Sequence, residues 1–256
     1  MQLTNQQKLD FYENGYLKIP GVVSPLMINA ALHAINYSLG EEGMNKDDLP
    51  TLRAQSYCKE IRKSPAVTDL ANKSAVIPVM ESLLGKGNLS PIESGQIALR
   101  FPRLPDMSPG SPHSHLDGLG SGLNGSSKGN YRRGFTMLAV VLLNHLPETH
   151  SGNFTVWPKS HVFFENYFRE NGIGVLAHGV PRVDLPEYPI QITGQAGDLV
   201  IAHHQIVHTV VPSHAPNICY AAIFRLRHQQ TTFIGNEAYT DIWREWSGIQ
   251  EVTDQL

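Results

Sequence analysis

The chain has 256 residues, of which 41% are hydrophobic and 17% charged, and its formal net charge is −3 at pH 7. Without a basic tail or a stripe of Lys and Arg, this charge argues against a nucleic-acid partner. The two cysteines have no redox or metal-binding spacing, no leader pattern opens the chain, and no apolar run reaches the length of a membrane span. We therefore expect a cytoplasmic globular protein that needs neither a membrane nor a disulfide.

The first third of the sequence predicts helices. Thr4 begins a capping-box pattern that opens a first helix, and Ser24-Pro25 places a cap before a proline at the start of a second helix. A short strand is predicted between them over residues 16–20. Residues 64–84 predict one or two further helices, so this part of the chain is mainly helical.

From about residue 89 the pattern changes to short strands separated by Gly, Pro and Asn. The predicted strands cover residues 92–101, 136–144, 154–157, 190–193, 198–202, 209–211 and 218–227. Many short strands after a helical section predict a mainly β protein with flanking α-helices and a double-stranded β-helix core, the cupin-like jelly roll. We expect residues 1–256 to form one domain, with a helical section at 1–88, the jelly-roll core at 89–230 and a C-terminal segment at 231–256.

Several segments outside the strands have weaker patterns. Residues 158–161 predict a turn, and the tryptophan-containing segment 237–246 predicts either a helix packed on the core or a dimer contact. The protein is therefore expected to be a monomer or a homodimer. The Gly/Ser-rich run 118–128 predicts a loop, and we expect substrate contacts from this loop and from the irregular segments 41–63 and 163–189.

The pattern His115-Leu116-Asp117 carries the clearest chemistry. On an extended backbone, residues i and i+2 point to the same side, so the imidazole and the carboxylate can bind one ion together. His208, after a later Gly-Asp turn and strand, is the best candidate for a third ligand. Two histidines and one carboxylate on one face of an ion leave three positions open, as in non-haem Fe(II) oxygenases. Taken alone, His-x-Asp also fits a solvated turn capped by aspartate.

Four segments, in order along the chain, resemble one family. They are Phe11 to Ser24, His115 to Asp117, Ser151 to His161, and Gly197 to His208. The chain resembles the phytanoyl-CoA dioxygenase family of Fe(II)- and 2-oxoglutarate-dependent oxygenases in these segments, with Lys159 where that family usually has glycine.

The resemblance implies a function and a set of site residues. The metal ligands would be His115, Asp117 and His208, the metal Fe(II), and the cosubstrates 2-oxoglutarate and O2. The implied reaction is hydroxylation of a small-molecule substrate with release of succinate and CO2. The carboxylate of Asp117 favours hydroxylation, because halogenating relatives have a small residue at that position.

The sequence departs from the family at the residue that binds the far carboxylate of 2-oxoglutarate. Family members usually have an arginine where this chain has Cys219. Arg225, on the same face of the predicted strand, and Arg100, on an earlier strand, are the two candidates to replace it. His113 is a further candidate, for contact with the substrate.

Two other interpretations remain open from the sequence. A jelly-roll protein could keep the metal site, lose 2-oxoglutarate turnover and act as a small-molecule binding or regulatory module, an alternative supported mainly by Cys219. A purely structural jelly roll without a metal would leave all three ligand residues without a use. Metal content and cosubstrate binding separate the three hypotheses.

Overall fold

The computed structural model describes residues 1–104 and 114–254. The strands in this part of the chain are β1 (Tyr16–Ile19), β2 (Gln96–Arg100), β3 (Met137–Leu142), β4 (Phe154–Val156), β5 (Ile190–Gln191), β6 (Leu199–His203), β7 (His208–Val210) and β8 (Cys219–Leu226). The helices are α1 (Asn5–Asn14), α2 (Pro25–Glu42), α3 (Leu49–Ala54), α4 (Pro65–Asn72), α5 (Val76–Leu84), α6 (Ser160–Asn171), α7 (Thr231–Ile234) and α8 (Ser247–Thr253). Short 3₁₀-helices cover Lys46–Asp48, Ile173–His178 and Gly235–Tyr239. Among the helices described here, none has the length and apolar character required to cross a membrane.

The strands form two antiparallel sheets. The larger sheet has the order β1-β6-β3-β8-β2, and the smaller one has the order β5-β4-β7. An isolated antiparallel bridge joins His115 to His208, the first residue of β7. Pairing across the smaller sheet therefore brings His115 beside a strand that follows it only much later in the sequence.

The two faces of the larger sheet pack against different layers. In β8, Ala222, Phe224 and Leu226 belong to the core formed with the helices, whereas Cys219 and Ala221 belong to the core formed with the smaller sheet. This alternation follows from the two-residue period of a strand. The structure therefore has mainly antiparallel sheets with flanking helices, as expected, and alternate residues of β2, β3 and β8 point into the space between the sheets.

The N-terminal caps confirm the predicted helix starts. The Thr4 hydroxyl accepts a hydrogen bond from the Gln7 backbone N–H, and the Gln7 side chain accepts one from the Thr4 N–H, which completes the capping box. Gly15 ends α1 with a φ of 77°, and a Cβ there would lie 2.5 Å from His161 Nδ1. Glycine therefore satisfies both the left-handed backbone and the close contact with α6.

Helix α6 is the main element that the sequence interpretation missed. The predicted turn over residues 158–161 is confirmed only at residues 158 and 159, where Lys159 lies in the left-handed region at φ 63°, because a helix starts at Ser160. Phe164 and Phe168, one helical turn apart, are buried in a separate apolar cluster. Their helical spacing was the available signal.

The C-terminal segment packs on the chain itself. Of the two alternatives for residues 237–246, the helix is present only in part, because this segment contains the end of a 3₁₀-helix and α8 starts after it. The dimer contact stays a prediction. Trp246 is fully buried, and its ring lies 5.2 Å from that of Phe11 in α1. An ion pair between Arg133 and Glu245, both buried, joins the segment to the strand-rich part of the chain.

Candidate metal centre and adjoining pocket

His115, Asp117 and His208 come together at one edge of the smaller sheet. The backbone N–H of His115 donates to the His208 carbonyl at 3.0 Å, and the His208 N–H donates to the His115 carbonyl at 3.1 Å. Leu116 points away into the cluster around α6, so the residues on either side of it share the opposite face, as the spacing predicts. Asp117 Oδ1 lies 3.5 Å from His115 Nε2 and 3.8 Å from His208 Nε2.

The surroundings of His208 favour the neutral imidazole with a free Nε2 lone pair, the form that binds a metal. Its Nδ1 lies 3.0 Å from the Ile206 carbonyl oxygen, which assigns the ring proton to Nδ1 and leaves the Nε2 lone pair facing Asp117. Burial lowers the pKa of His208 to about 4, with a further contribution from His115. The ring is therefore neutral near pH 7, as metal binding requires.

Asp117 is held as a carboxylate by its neighbours. Burial acts to raise its pKa, but the charge of Arg225 and the contact with His115 outweigh burial and hold the pKa of Asp117 well below its usual range. Arg225 Nε and Nη2 each lie 3.0 Å from Asp117 Oδ2. The structure thus places Arg225, one of the two candidate cosubstrate anchors, on the acidic residue of the triad.

The donor set fits a divalent metal ion. The three potential ligand atoms, two imidazole nitrogens and one carboxylate oxygen, all lie within 4.8 Å of one another. A neutral imidazole and an ionised carboxylate are the protonation states that bind a cation. Two histidines and one carboxylate match the ligand set of non-haem iron sites with open positions.

A pocket between the two sheets adjoins this cluster. Its walls are mainly apolar side chains of β2, β3, β4, β7 and β8, namely Ala98, Val140, Leu142, Phe154, Val210, Ala221 and Ile223. The Phe154 ring lies 5.4 Å from that of His208. On β8 the residues facing this space are Cys219, Ala221, Ile223 and then Arg225, so one strand face runs from the far end of the pocket to the triad.

Arg100 lies at the far end of that pocket. It is the last residue of β2 and the direct cross-strand partner of Cys219 on β8. Gly152 fits against both: a Cβ on this glycine would lie 2.8 Å from the Cβ of Arg100 and 2.8 Å from that of Cys219. The Arg100 side chain therefore lies directly beside Cys219, the position at which the resembled family has its arginine.

Arg100 has no acidic partner within residues 1–104 and 114–254. Among the residues that the structure describes, no carboxylate forms an ion pair with it, and its Nη1 donates to the Leu99 carbonyl at 3.0 Å. Burial lowers the pKa of Arg100. A guanidinium at the end of an apolar pocket is a favourable site for an anionic ligand, because buried charges need a partner.

One further candidate lies outside the described residues, and other histidines and Cys219 have ordinary structural surroundings. His113, the candidate for substrate contact, lies outside them. His161 and His203 are fully buried, and their Nε2 atoms lie within hydrogen-bond distance of the backbone carbonyls of Tyr12 and Ile242. The Cys219 thiol donates to the Gly152 carbonyl, and burial raises the pKa of this thiol to about 11, so it is protonated near pH 7.

The sequence analysis missed Gln96 as a site residue. Its Oε1 accepts a hydrogen bond of 2.6 Å from Arg225 Nη1. Gln96 and Arg100 lie four residues apart on β2 and therefore share one face of the strand. A glutamine on the face of a candidate anchor was a signal that it could contact the site.

Two of the segments predicted to contact substrate are joined by a hydrogen bond. Gln55, from the irregular N-terminal segment, donates through Nε2 to the carbonyl of Leu123 in the Gly/Ser-rich loop at 2.8 Å. Within this loop Asn124 donates to the Leu119 carbonyl at 2.8 Å and accepts bonds from two backbone N–H groups. The loop thus has a defined internal structure beside Asp117.

Comparison of the sequence with protein-family models and with curated proteins gives no match. Solved structures do match the fold. SnoK, a non-haem α-ketoglutarate-dependent carbocyclase from nogalamycin biosynthesis, matches with a TM-score of 0.57 and 17% identity over 88% of this chain and 83% of its own. HygX from Streptomyces hygroscopicus with nickel and 2-oxoglutarate bound matches with a TM-score of 0.55 and 16% identity over 89% of this chain and 88% of its own.

A third solved structure matches with a similar TM-score and identity. EctD from S. alaskensis, in a structure with 2-oxoglutarate and 5-hydroxyectoine, gives a TM-score of 0.56 and 14% identity over 88% of this chain and 76% of its own. At these identities the likeness establishes a shared fold. The chain therefore has the fold of these 2-oxoglutarate-binding proteins and a His-Asp-His cluster at one edge of its smaller sheet.

Proposed function

We propose that this protein is a non-haem Fe(II)- and 2-oxoglutarate-dependent dioxygenase. The observation that carries the proposal is the convergence of His115, Asp117 and His208, with their potential ligand atoms within 4.8 Å of one another, beside a pocket between the sheets. These three residues would hold the Fe(II), with His208 and Asp117 already in the required protonation states.

The fold supports this assignment at the level of the superfamily. The two antiparallel sheets facing each other across a shared core, and the likeness to SnoK, HygX and EctD, favour a double-stranded β-helix of the jelly-roll type. Within the superfamily, the resemblance of the four sequence segments favours the phytanoyl-CoA dioxygenase family. Fold alone does not assign a reaction, so the proposal rests on the site.

For the cosubstrate, the unpaired guanidinium of Arg100 is the better of the two candidate anchors. Arg225 is engaged with Asp117, whereas Arg100 reaches the same end of the pocket as Cys219 and has no acidic partner among the described residues. A two-pronged bond from Arg100 to the far carboxylate of 2-oxoglutarate would supply the charge that Cys219 lacks. Apolar residues along the pocket would exclude water from the chain of the cosubstrate.

The metal and cosubstrate, when bound, would supply the oxidising chemistry, in which O2 and 2-oxoglutarate are consumed and succinate and CO2 are released. The protein's own residues would bind, orient and shield these groups. His115, Asp117 and His208 fix the ion, Arg100 orients the cosubstrate, and Phe154 shields the His208 side of the centre. The three further positions on the ion would serve the cosubstrate and O2.

We propose hydroxylation of a small organic molecule as the outcome. Asp117 supports hydroxylation over halogenation because its carboxylate occupies a position that a halide would otherwise take. The half-exposed His115 marks the side from which a substrate can approach. The loop around Leu123, which follows Asp117 along the chain, and the segment around Gln55, joined to it by a hydrogen bond, would contact the substrate.

The test is an anaerobic titration of the Fe(II)-loaded protein with 2-oxoglutarate, followed by the visible charge-transfer absorption of the chelate and by succinate release after air is admitted. The wild type is expected to give both signals, and His208→Ala, which removes a buried ligand, neither. His145→Ala, a change at an exposed histidine, is the matched control and should behave as the wild type. Iron binding without an absorption band would contradict the 2-oxoglutarate assignment, and failure to bind iron would contradict the metal site.

The same titration separates the alternative function, a binding module that has lost turnover. That hypothesis rested on Cys219, and the position of Arg100 beside Cys219 weakens it. A module without turnover would bind the metal and give no succinate. An oxygenase is expected to give succinate even without its substrate, at a slow uncoupled rate.

A further inference from the structure

The carboxylate of Asp117 presents its two oxygens to different partners. Oδ1 faces the Nε2 atoms of His115 and His208, at 3.5 and 3.8 Å. Oδ2 faces away from them and accepts bonds from Nε and Nη2 of Arg225, both at 3.0 Å. Oδ1 is therefore directed at the candidate metal position, and Oδ2 is hydrogen-bonded to Arg225.

Arg225 is itself fixed from both sides of β8. On one side its Nη1 donates to Gln96 Oε1 on β2 at 2.6 Å. On the other side its guanidinium carbon lies 5.9 Å from the centroid of the Phe135 ring, just before β3, within the range of a cation–π contact. Because β8 lies between β2 and β3 in the larger sheet, neighbours on both strands orient the guanidinium.

We propose that Arg225 is a positioning residue that reserves Oδ2 of Asp117, so that the aspartate offers the metal only Oδ1. The inference rests on the proposed function, since it concerns how the same three residues hold the ion. A carboxylate free to turn could bind an ion through both oxygens and would then occupy one of the positions needed by the cosubstrate or O2. By engaging Oδ2, Arg225 and Gln96 keep that position open.

The proposal differs from two simpler roles for this arginine. If Arg225 anchored the cosubstrate, the edge formed by Nε and Nη2 would be directed at the pocket, yet that edge is engaged with Asp117. If Arg225 acted only through its charge, its removal would make the site more attractive to a cation. A positioning role predicts the opposite sign, because residues that orient a metal ligand usually contribute to metal affinity.

The test is calorimetric titration with Mn(II), without cosubstrate, of the wild type, Arg225→Gln, Arg225→Lys and Gln96→Leu. Arg225→Gln is expected to weaken Mn(II) binding by about 10- to 100-fold, as is usual when an outer partner of a metal ligand is lost. Arg225→Lys keeps the charge but not the two-pronged contact and should also weaken binding. Gln96→Leu leaves the guanidinium in place and should give a smaller loss.

Arg227→Gln is the matched control, because it removes the same charge from an exposed residue two positions along the chain. It should leave the Mn(II) affinity within about twofold of the wild type, since exposed charges at a distance are screened. Unchanged or tighter Mn(II) binding by Arg225→Gln would overturn the inference while leaving the metal site intact. A wild type that binds no Mn(II) would overturn the proposed metal site and this inference with it.

Water-proton relaxation of the bound Mn(II) gives a second readout that does not depend on activity. Three open positions on the ion would carry exchangeable water, so a bidentate Asp117 in Arg225→Gln should lower the number of exchangeable waters by about one third. A relaxation rate per bound ion equal to that of the wild type would contradict the proposed function of Arg225. Circular dichroism of each variant checks that the fold is retained.

Discussion

The two faces of β8 carry different chemistry although they belong to one strand. On one face Ala222, Phe224 and Leu226 pack against the helices and are almost completely buried. On the other face the strand runs from Cys219, beside Arg100, to Arg225, which contacts Asp117. The first face stabilises the fold, and the second lies beside the groups on neighbouring segments that we propose to bind the metal and cosubstrate.

This difference explains which residues follow the usual rules of burial and which do not. Apolar side chains on the helix face gain free energy by leaving water, about 1.5–3 kcal/mol for a fully buried large side chain. Arg100, half-buried at the end of the apolar pocket, would be an unfavourable choice for this position if stability alone decided the sequence. Residues that break the rules of a stable core are expected at functional sites.

Phe224→Ala should produce the largest loss of stability, because it acts on the helix face alone. Phe224 is fully buried and its ring lies against Gly95, where an added Cβ would be 2.7 Å away. Removing the ring should lower the free energy of unfolding by about 3–5 kcal/mol, measured by urea denaturation. The Mn(II) affinity of the remaining folded protein should stay close to that of the wild type. A loss below about 1 kcal/mol would contradict the division of the two faces.

Arg100→Met should weaken cosubstrate binding with little loss of stability, because Arg100 lies on the pocket face of the sheet. Loss of a two-pronged charged contact should weaken 2-oxoglutarate binding by about 1.5–3 kcal/mol, or roughly 10- to 150-fold, in the anaerobic titration. The free energy of unfolding should change by less than about 1 kcal/mol, because the methionine fills the same space and leaves no buried charge. A strong loss of stability without a loss of cosubstrate affinity would assign Arg100 to the core instead.

The pH dependence of stability should come from buried histidines, which include His208 at the candidate metal centre and His161 outside it. Burial lowers the pKa of His161 from 6.5 to about 4, so the unfolded chain binds a proton more readily than the fold between these values. Stability is therefore greatest above pH 6.5 and falls as the pH decreases towards 4, by about 1.4 kcal/mol per pH unit for this residue.

His161→Gln checks this smaller effect. Between about pH 7.5 and pH 5, the wild type should lose roughly 2 kcal/mol more unfolding free energy than the variant, measured by urea denaturation at each pH. His203 and His204, whose pKa values are also lowered by burial, act in the same direction and should leave a slope in the variant. Equal slopes for the two proteins would mean that His161 takes up its proton without cost to the fold.

The sequence predicted most of the helix face and the shared side of His115 and Asp117, because both depend on local patterns. The cap at Thr4, the alternation of β8 and the spacing of His115 and Asp117 can each be seen in a short stretch of chain. Helix α6 was missed because its start follows a turn whose Pro and Lys masked the helical spacing of Phe164 and Phe168.

The assignment of the two arginines depends on contacts that no local pattern contains. The two-residue period of a strand correctly predicted that Arg225 lies on the same face of β8 as Cys219. That Arg100 is the direct neighbour of this cysteine follows only from the pairing of β2 with β8. The hydrogen bond from Arg225 to Gln96 likewise crosses between strands distant in sequence. Register between such strands is set by the whole sheet, which is why these contacts needed the structure.

The most direct test of the account is an exchange of Arg100 and Cys219 between the two paired strands. The dissociation constant for 2-oxoglutarate should be measured anaerobically on Fe(II)-loaded wild type, Arg100→Cys and the double variant Arg100→Cys/Cys219→Arg. We predict a clear absorption band in the wild type, a loss of roughly 10- to 150-fold in affinity in the single variant and recovery of most of it in the double variant. Wild-type affinity in Arg100→Cys, or no band in the wild type, would contradict the account.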